Sequence, residues 1–463
     1  MINIIQSNFE ISENNLNEFF RILLPDIEYN LLKVEILEET KENIKILIDL
    51  DNKIEIILYE NILDKLDDLK VIMIKIGLLK LFGKTYSWGS LTGMRPIKLI
   101  RKMRNKMEYN EIYRHLIDLF MLEQDKANLL LAVAKNSEIE ISNNQINIYI
   151  GIPFCPTKCT YCSFASYTIS GKYIDIYRKF IDLLIEEIIV MGDFIKKNNL
   201  IVDSIYIGGG TPTILNEIDL DKILLTINNN IDRKNLREYT VEAGRIDTLT
   251  EKKLDIIKKY NIDRISLNPQ TFNLNTLKLV NREWDQDKFN KLYNYSKKLG
   301  LTINMDFIIG LPNETTEDII STFNKLLDYN IENLTIHVLA IKKASNLFKN
   351  QYKSENFIDY KKIQNKIDIY LNKYNLEPYY LYRQKNSLEI GENVGYAKKG
   401  YESRFNIFMI EESQNTIGIG GGAITKFFKN GELIRIVNPK DPSVYVLEFE
   451  KRLEEKIDKL NKI

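Results

Sequence analysis

The chain is nearly devoid of cysteine and histidine, with three and two respectively among 463 residues. All three cysteines, Cys155, Cys159 and Cys162, sit in the run GIPFCPTKCTYCSF. An odd count, in a chain that nothing marks as secreted, excludes a disulfide framework. The spacing also excludes a closed zinc site, which takes four ligands and usually places a distant second pair. Net charge is missing as well: 64 basic and 64 acidic residues cancel, which argues against nucleic acid or an anionic membrane as the main partner. No run of about 18 apolar residues occurs, so no integral membrane segment is expected. The start, MINIIQSNFEISENN, lacks the basic stretch and apolar core of a secretory signal. A cytoplasmic location with reduced thiols is the expectation.

What remains is concentrated. Cysteines at i, i+4 and i+7 on one loop can hold three irons of a cubane cluster, leaving the fourth for a small molecule to chelate. With no further cysteine, a second cysteine-ligated cluster is excluded. Electrons must then arrive from a partner, of ferredoxin or flavodoxin type.

Length suggests two or three domains. Residues 1–140 mix alternating strand-like stretches (32–37, 44–50, 54–59) with helical segments at 62–81 and 108–135, an α+β accessory domain. In it, WGSLTGMRP at 88–96 reads as a packed loop anchored by Trp88. Over 141–345 the rhythm changes. Short apolar stretches at 147–152, 203–208, 239–243, 264–268, 302–309 and 334–340 alternate with amphipathic helices such as 172–196 and 315–329. That alternation predicts βαβ units and a parallel sheet, an α/β fold, and six repeats predict an open (β/α)6 partial barrel. The motif residues fall at strand ends, the functional face of such barrels. Residues 346–463 read as a helix (355–374), the polar-aromatic stretch PYYLYRQKN (378–386) and Gly-rich loops, a helical and loop segment covering the barrel mouth. GIGGGA at 418–423 is not expected to bind a dinucleotide, because no βαβ unit and no suitably placed acid follow it.

Cys-x-x-x-Cys-x-Tyr-Cys resembles the radical S-adenosylmethionine (SAM) signature. The run YIGIPFCPTKCTYCSF, with GGGTPT (208–213), SLNPQTF (266–272) and VNRE (280–283), is similar to the oxygen-independent coproporphyrinogen III dehydrogenase family. The long N-terminal extension and WGSLTGMRP resemble its HemZ-type branch. The resemblance implies a [4Fe–4S] cluster on Cys155, Cys159 and Cys162, with SAM capping the open iron and cleaved reductively to a 5′-deoxyadenosyl radical. It implies SAM contacts from Tyr149, Tyr161 (against adenine), Gly209, Gly210 and Thr211 (aminocarboxylate), Glu242 (amine), Gln270 and Asp306 (ribose), Arg282 (carboxylate) and Ala340, with Ile424 a looser match. Glycines would let backbone amides approach a zwitterion, and a guanidinium suits a carboxylate.

The implied partner is a tetrapyrrole, coproporphyrinogen III as an oxidoreductase substrate or haem as the cargo of a chaperone. Two departures bear on the choice: Phe164 stands where well-known dehydrogenases carry a further cysteine, and Gly151 where they carry a histidine. Propionates need cations, and Lys342, Lys343, Arg383, Lys385, Lys398 and Arg404 are available, Arg383 foremost. His337 reads either as a core histidine or as a proton-delivery or haem-contact residue. No catalytic side chain is identified.

Overall fold

The computed structural model describes residues 4–462 except 12, 41–42, 61–68, 143, 353–355, 385–390 and 430–431. The chain divides into two compact units, Met1–Lys135 and Asn136–Ile463.

The first unit carries four neighbouring strands, β1 (Ile4–Ser7), β2 (Leu31–Glu39), β3 (Asn43–Leu50) and β4 (Lys53–Glu60). Strict alternation along NIKILIDL buries Ile44, Ile46, Ile48 and Leu50 on one face. Asp51 and Asn52, at φ 49° and 71°, make the two-residue turn that suits the twist of β3 and β4. The helix expected at 62–81 is seen as Leu69–Leu81, its start lying outside the described residues. The helix expected at 108–135 is two, Tyr109–Asp118 and Gln124–Asn136, parted at Met121, whose φ of 60° no helix accepts. Trp88 is 1 % exposed, and a Cβ on Gly89 would come within 2.0 Å of the Phe120 carbonyl, so WGSLTGMRP is a tightly packed loop.

The second unit begins with β5 (Gln145–Ile152), β6 (Ile201–Gly209), β7 (Glu238–Glu242), β8 (Arg264–Ser266), β9 (Thr302–Ile309) and β10 (Asn333–Val338). Each pairs in parallel with the next, with helices such as Tyr173–Lys197 and Thr316–Leu326 between them. These are the six expected strands. Burial on both faces makes β5 and β6 largely apolar, whereas β7 (EYTVE) and β8 (RIS) bury polar residues as well. The polar exceptions point inward and pair, as where Ser204 donates to Asn147 at 2.6 Å.

The C-terminal residues do more than cover the barrel. They supply β11 (Glu377–Arg383), β12 (Glu392–Ala397), β13 (Asn415–Gly420), β14 (Ile424–Lys429) and β15 (Glu432–Val437), giving one sheet ordered β11-β12-β10-β9-β8-β7-β6-β5-β13-β14-β15. β12 runs antiparallel beside β10, and β13 runs parallel beside β5. The helix expected from 355 is seen from Tyr360 to Tyr374, residue 355 lying outside the described residues. GIGGGA is packing: a Cβ on Gly418 would meet Ile424 backbone atoms at 2.6 Å, and one on Gly151 would meet the Gly421 carbonyl at 2.4 Å.

One buried ion pair ties the chain's last helix (Phe449–Asn461) to this edge. Glu187, 3 % exposed, accepts from Lys456 at 2.9 Å, Tyr445 at 2.7 Å, the Gly420 amide at 2.7 Å and Asn438 at 2.9 Å. A buried charge satisfied this fully is costly to strip of its partner. Lys456→Met should therefore cost about 3 kcal/mol in urea unfolding, the low end for a buried pair because three donors remain. The Glu187→Met/Lys456→Met double variant should recover much of that loss.

Candidate functional site

A cavity of about 420 Å³ opens among the C-terminal ends of β5 to β10. The three cysteines and all ten cofactor-contact candidates, from Tyr149 to Ala340, line it. Segments as distant in sequence as 149–166, 206–211, 240–245, 264–282, 304–308 and 335–342 meet there because each follows or ends a strand.

The cysteine loop is placed by its backbone. The Cys155 amide donates to the Tyr167 carbonyl at 3.0 Å, and the Gly210 and Thr211 amides donate to the carbonyls of Ile152 and Phe154 at 2.7 and 2.8 Å. The glycines were expected to present amides to an anion. The amides of Gly210 and Thr211 hold the cysteine loop in this way, that of Gly209 donates to Glu242, and the glycines allow the close approach. A Cβ on Gly210 would stand 2.4 Å from the Phe154 carbonyl, and Gly209 sits at φ 109°. Thr211 places its hydroxyl 3.5 Å from the Cys155 sulfur.

The cysteine thiols are perturbed mainly by burial, which pushes Cys155 up to about 11 and also raises Cys162. Cations offset this. Arg282 reaches the Cys159 sulfur at 3.9 Å and donates to the carbonyls of Gly244 and Asn268. A second guanidinium, absent from the sequence reading, stands at the same sulfur. Arg245 lies 3.5 Å from Cys159, 3 % exposed, held by both oxygens of Asp247 at 2.9 and 2.6 Å. The signal available in the sequence was its place three residues past Glu242, in the loop after β7.

Across the cavity, burial raises Glu242 to about 7, with Asp306 adding to the rise and the Tyr206 hydroxyl, donating at 2.5 Å, opposing it. Asp306 accepts from Asn304 and Asn268, each at 2.7 Å. Gln270 is held at φ 70°, its amide donating to the Asp306 carbonyl at 2.9 Å, and its side-chain oxygen is buried without a partner. Tyr161 turns inward, its hydroxyl raised by burial and by Cys159 beside it, so it lines the cavity next to the sulfurs. His337 also lines the cavity, Nδ1 3.2 Å from the Tyr382 hydroxyl, with burial lowering its pKa toward the neutral form.

The expected substrate cations part company. Lys342 lines the cavity. Arg383 does not: past the register shift between Pro378 and Tyr380, β11 alternates, turning Tyr380 and Tyr382 to the cavity and Arg383 to the other face, 6 % exposed and opposite Glu392. Arg404 grips Asp203 with two bonds of 2.8 Å, and Lys398 lies 3.6 Å from Glu332, both structural uses. Lys385 lies outside the described residues, and Lys343 and Ile424 do not line the cavity.

Among the described residues no three His, Cys, Asp or Glu side chains converge tightly enough to hold a single metal ion. Three cysteines spread around one cavity suit a polynuclear cluster, whose irons each take one sulfur. The orphaned Gln270 oxygen, the Glu242 and Asp306 carboxyls and the Arg282 guanidinium suit a ligand carrying an amine, a diol and a carboxylate. Site and group fit.

Comparison with known proteins agrees. Residues 149–326 match the radical SAM superfamily. The oxygen-independent coproporphyrinogen-III oxidase-like protein HemZ of Bacillus subtilis (strain 168) is 38 % identical over 82 % of this chain and 78 % of its own. The heme chaperone HemW of Buchnera aphidicola (subsp. Schizaphis graminum) is 29 % identical over 64 % of this chain and 74 % of its own. The solved structure of the radical SAM coproporphyrinogen III oxidase HemN from Escherichia coli shares the fold, at a TM-score of 0.54 and 21 % identity over 71 % of this chain and 73 % of that one.

Replacing any one of Cys155, Cys159 or Cys162 by alanine should leave a folded chain that fails to retain iron and sulfide after anaerobic reconstitution. Iron and labile sulfide per chain, with circular dichroism as the folding control, check this.

Proposed function

Since the chain belongs to the radical SAM superfamily and, within it, to the HemZ-like family of coproporphyrinogen-oxidase-like proteins, we propose that it converts propionate side chains of coproporphyrinogen III to vinyl groups without oxygen. The superfamily uses a [4Fe–4S] cluster and SAM. The observation that carries the reading is the convergence of three cysteines and ten candidate SAM contacts on one cavity at the strand ends.

When bound, the cluster and SAM supply hydrogen-atom abstraction at the β-carbon of a propionate. The substrate then has to lose CO2 and one electron, the electron passing to an acceptor. Cys155, Cys159 and Cys162 would hold the cluster. Glu242 would take the methionyl amine, Arg282 the carboxylate, and Gln270 with Asp306 the ribose diol. Lys342, beside Tyr382 and His337 on the cavity wall, would meet a substrate propionate in the place first assigned to Arg383. His337, kept neutral by burial, can donate or accept a hydrogen bond there without adding charge. The reducing electron would come from a ferredoxin- or flavodoxin-type protein.

Two positions favour a second reading, haem delivery on the same scaffold. No side chain fits at residue 151, because a Cβ would press 2.4 Å from the Gly421 carbonyl, so the family's histidine has no room there. Phe164, where a further cysteine would be, is 67 % exposed. Anaerobic assay with coproporphyrinogen III, SAM and dithionite separates the two. Vinyl product supports the oxidase; SAM cleavage with tight haem binding and no vinyl product supports the chaperone.

Glu242 sets a pH dependence. Its carboxyl is raised to about 7, so below that pH it is mostly protonated and neutral, and above it carries the charge that attracts an amine. SAM affinity of the reconstituted protein, measured by calorimetry, should therefore tighten several-fold from pH 6 to pH 8, about one unit either side of that value. Glu242→Gln should bind SAM weakly and with a flat profile. A parent profile as flat as the variant's would remove Glu242 from the amine.

A further inference from the structure

The proposed chemistry needs one electron delivered to a cluster, and the surface around the cysteine loop is built unlike the rest of this charge-balanced chain. Three segments are laced together there. Thr160 donates its amide to the Val280 carbonyl at 3.2 Å and accepts the Leu347 amide at 3.1 Å. Asn281 donates to the Lys158 carbonyl at 3.2 Å, and the Lys158 ammonium reaches the Ala344 carbonyl at 3.5 Å.

These segments, 153–164, 276–282 and 339–352, carry Lys158, Lys278, Lys342, Lys343 and Lys349 and not one acidic residue. The first acid beside them is Glu283. None of the five lysines pairs with a described acid, whereas Asp247, the other carboxylate near the loop, is taken by Arg245. Lys278, Lys343 and Lys349 are exposed, and Cys162 is itself partly exposed. The same segments expose Phe164, Leu279 and Phe348, by 67, 49 and 47 %. Exposed apolar side chains on laced segments that carry one sign of charge suit a small, transient interface with a partner of the opposite charge.

We propose that this face, the cysteine loop with the 276–282 and 339–352 segments, is the docking surface for an acidic one-electron carrier protein, whose redox group would approach from the Cys162 side. The proposal rests on the radical SAM reading and deepens it. Steering by the lysines would act mainly on the association rate and would weaken with salt. The bound partner would sit over Phe164 and Phe348, which exclude water between the two redox centres.

The test uses the full, cluster-loaded chain and the variant Lys343→Glu/Lys349→Glu, neither residue lining the cavity. Reduction of the cluster by an acidic flavodoxin, kept reduced by its NADPH-dependent reductase, is followed by stopped flow from low salt to about 0.5 M NaCl. The variant should be slowed tenfold or more at low salt and approach the parent at high salt. Its flavodoxin affinity by calorimetry, without SAM, should fall by a similar factor. With dithionite both proteins should be reduced, and cleave SAM, at the same rate. Equal rates and affinities with flavodoxin would overturn the proposal, as would loss of anionic-vesicle binding with donor kinetics unchanged. A variant slowed equally with dithionite would overturn it too, placing the lysines in cluster integrity. A parent chain that dithionite reduces but that never cleaves SAM would instead count against the underlying function.

Discussion

The site depends on a backbone zipper. The carbonyls of Ile152 and Phe154 are taken by the amides of Gly210 and Thr211, so the loop that carries the cysteines is fixed to the end of β6 before any side chain contributes. Only glycine permits that approach, since a Cβ at residue 210 would overlap the Phe154 carbonyl. With the loop held at both strands, the three sulfurs, the Glu242 carboxyl and the Gln270 amide keep their places around one cavity. Preorganisation of this kind matters where a reactive species must meet substrate and not solvent.

The cavity carries both signs of charge. Arg245 and Arg282 stand against the Cys159 sulfur, countering the anionic thiolates a cluster requires. The same cavity holds Glu242 and Asp306, and the Asp306 carboxylate adds to the burial that raises Glu242. A zwitterion with a diol finds both acceptors and donors there. Neutral His337 and the tyrosines of β11 continue the cavity toward Lys342.

The strands of the barrel were legible because they obey local rules: apolar runs of strand length, spaced by amphipathic helices. The ten candidate SAM contacts came from motifs at strand ends, and all ten line the cavity. The misses have physical reasons. PYYLYRQKN reads as polar and aromatic, yet 377–383 is β11, paired with β12, because its tyrosines fill the barrel side. The same alternation takes Arg383 off the cavity, which a residue count without a strand assignment does not reveal. β13 escaped because GIGGGA has too few side chains to show a period, its glycines being set by close neighbours, Ile424 of β14 at Gly418 and Gly151 of β5 at Gly420. Arg245 was passed over because a lone arginine in a loop carries no pattern.

The Glu187–Lys456 pair has a consequence for the life of the chain on the ribosome. Its partners are 269 residues apart, and β13 must lie beside β5 for the Gly420 amide to reach the same carboxylate. The strand that leads into the cysteine loop is among the first of its unit to be made, and its outer neighbour is among the last. Until β13 emerges, β5 has an open edge, and Glu187 gains its partners only as Gly420, Asn438, Tyr445 and Lys456 follow in turn. The sheet around the cysteine loop thus joins segments from both ends of this unit, and a chain cut before β13 would leave β5 with an unpaired edge beside that loop.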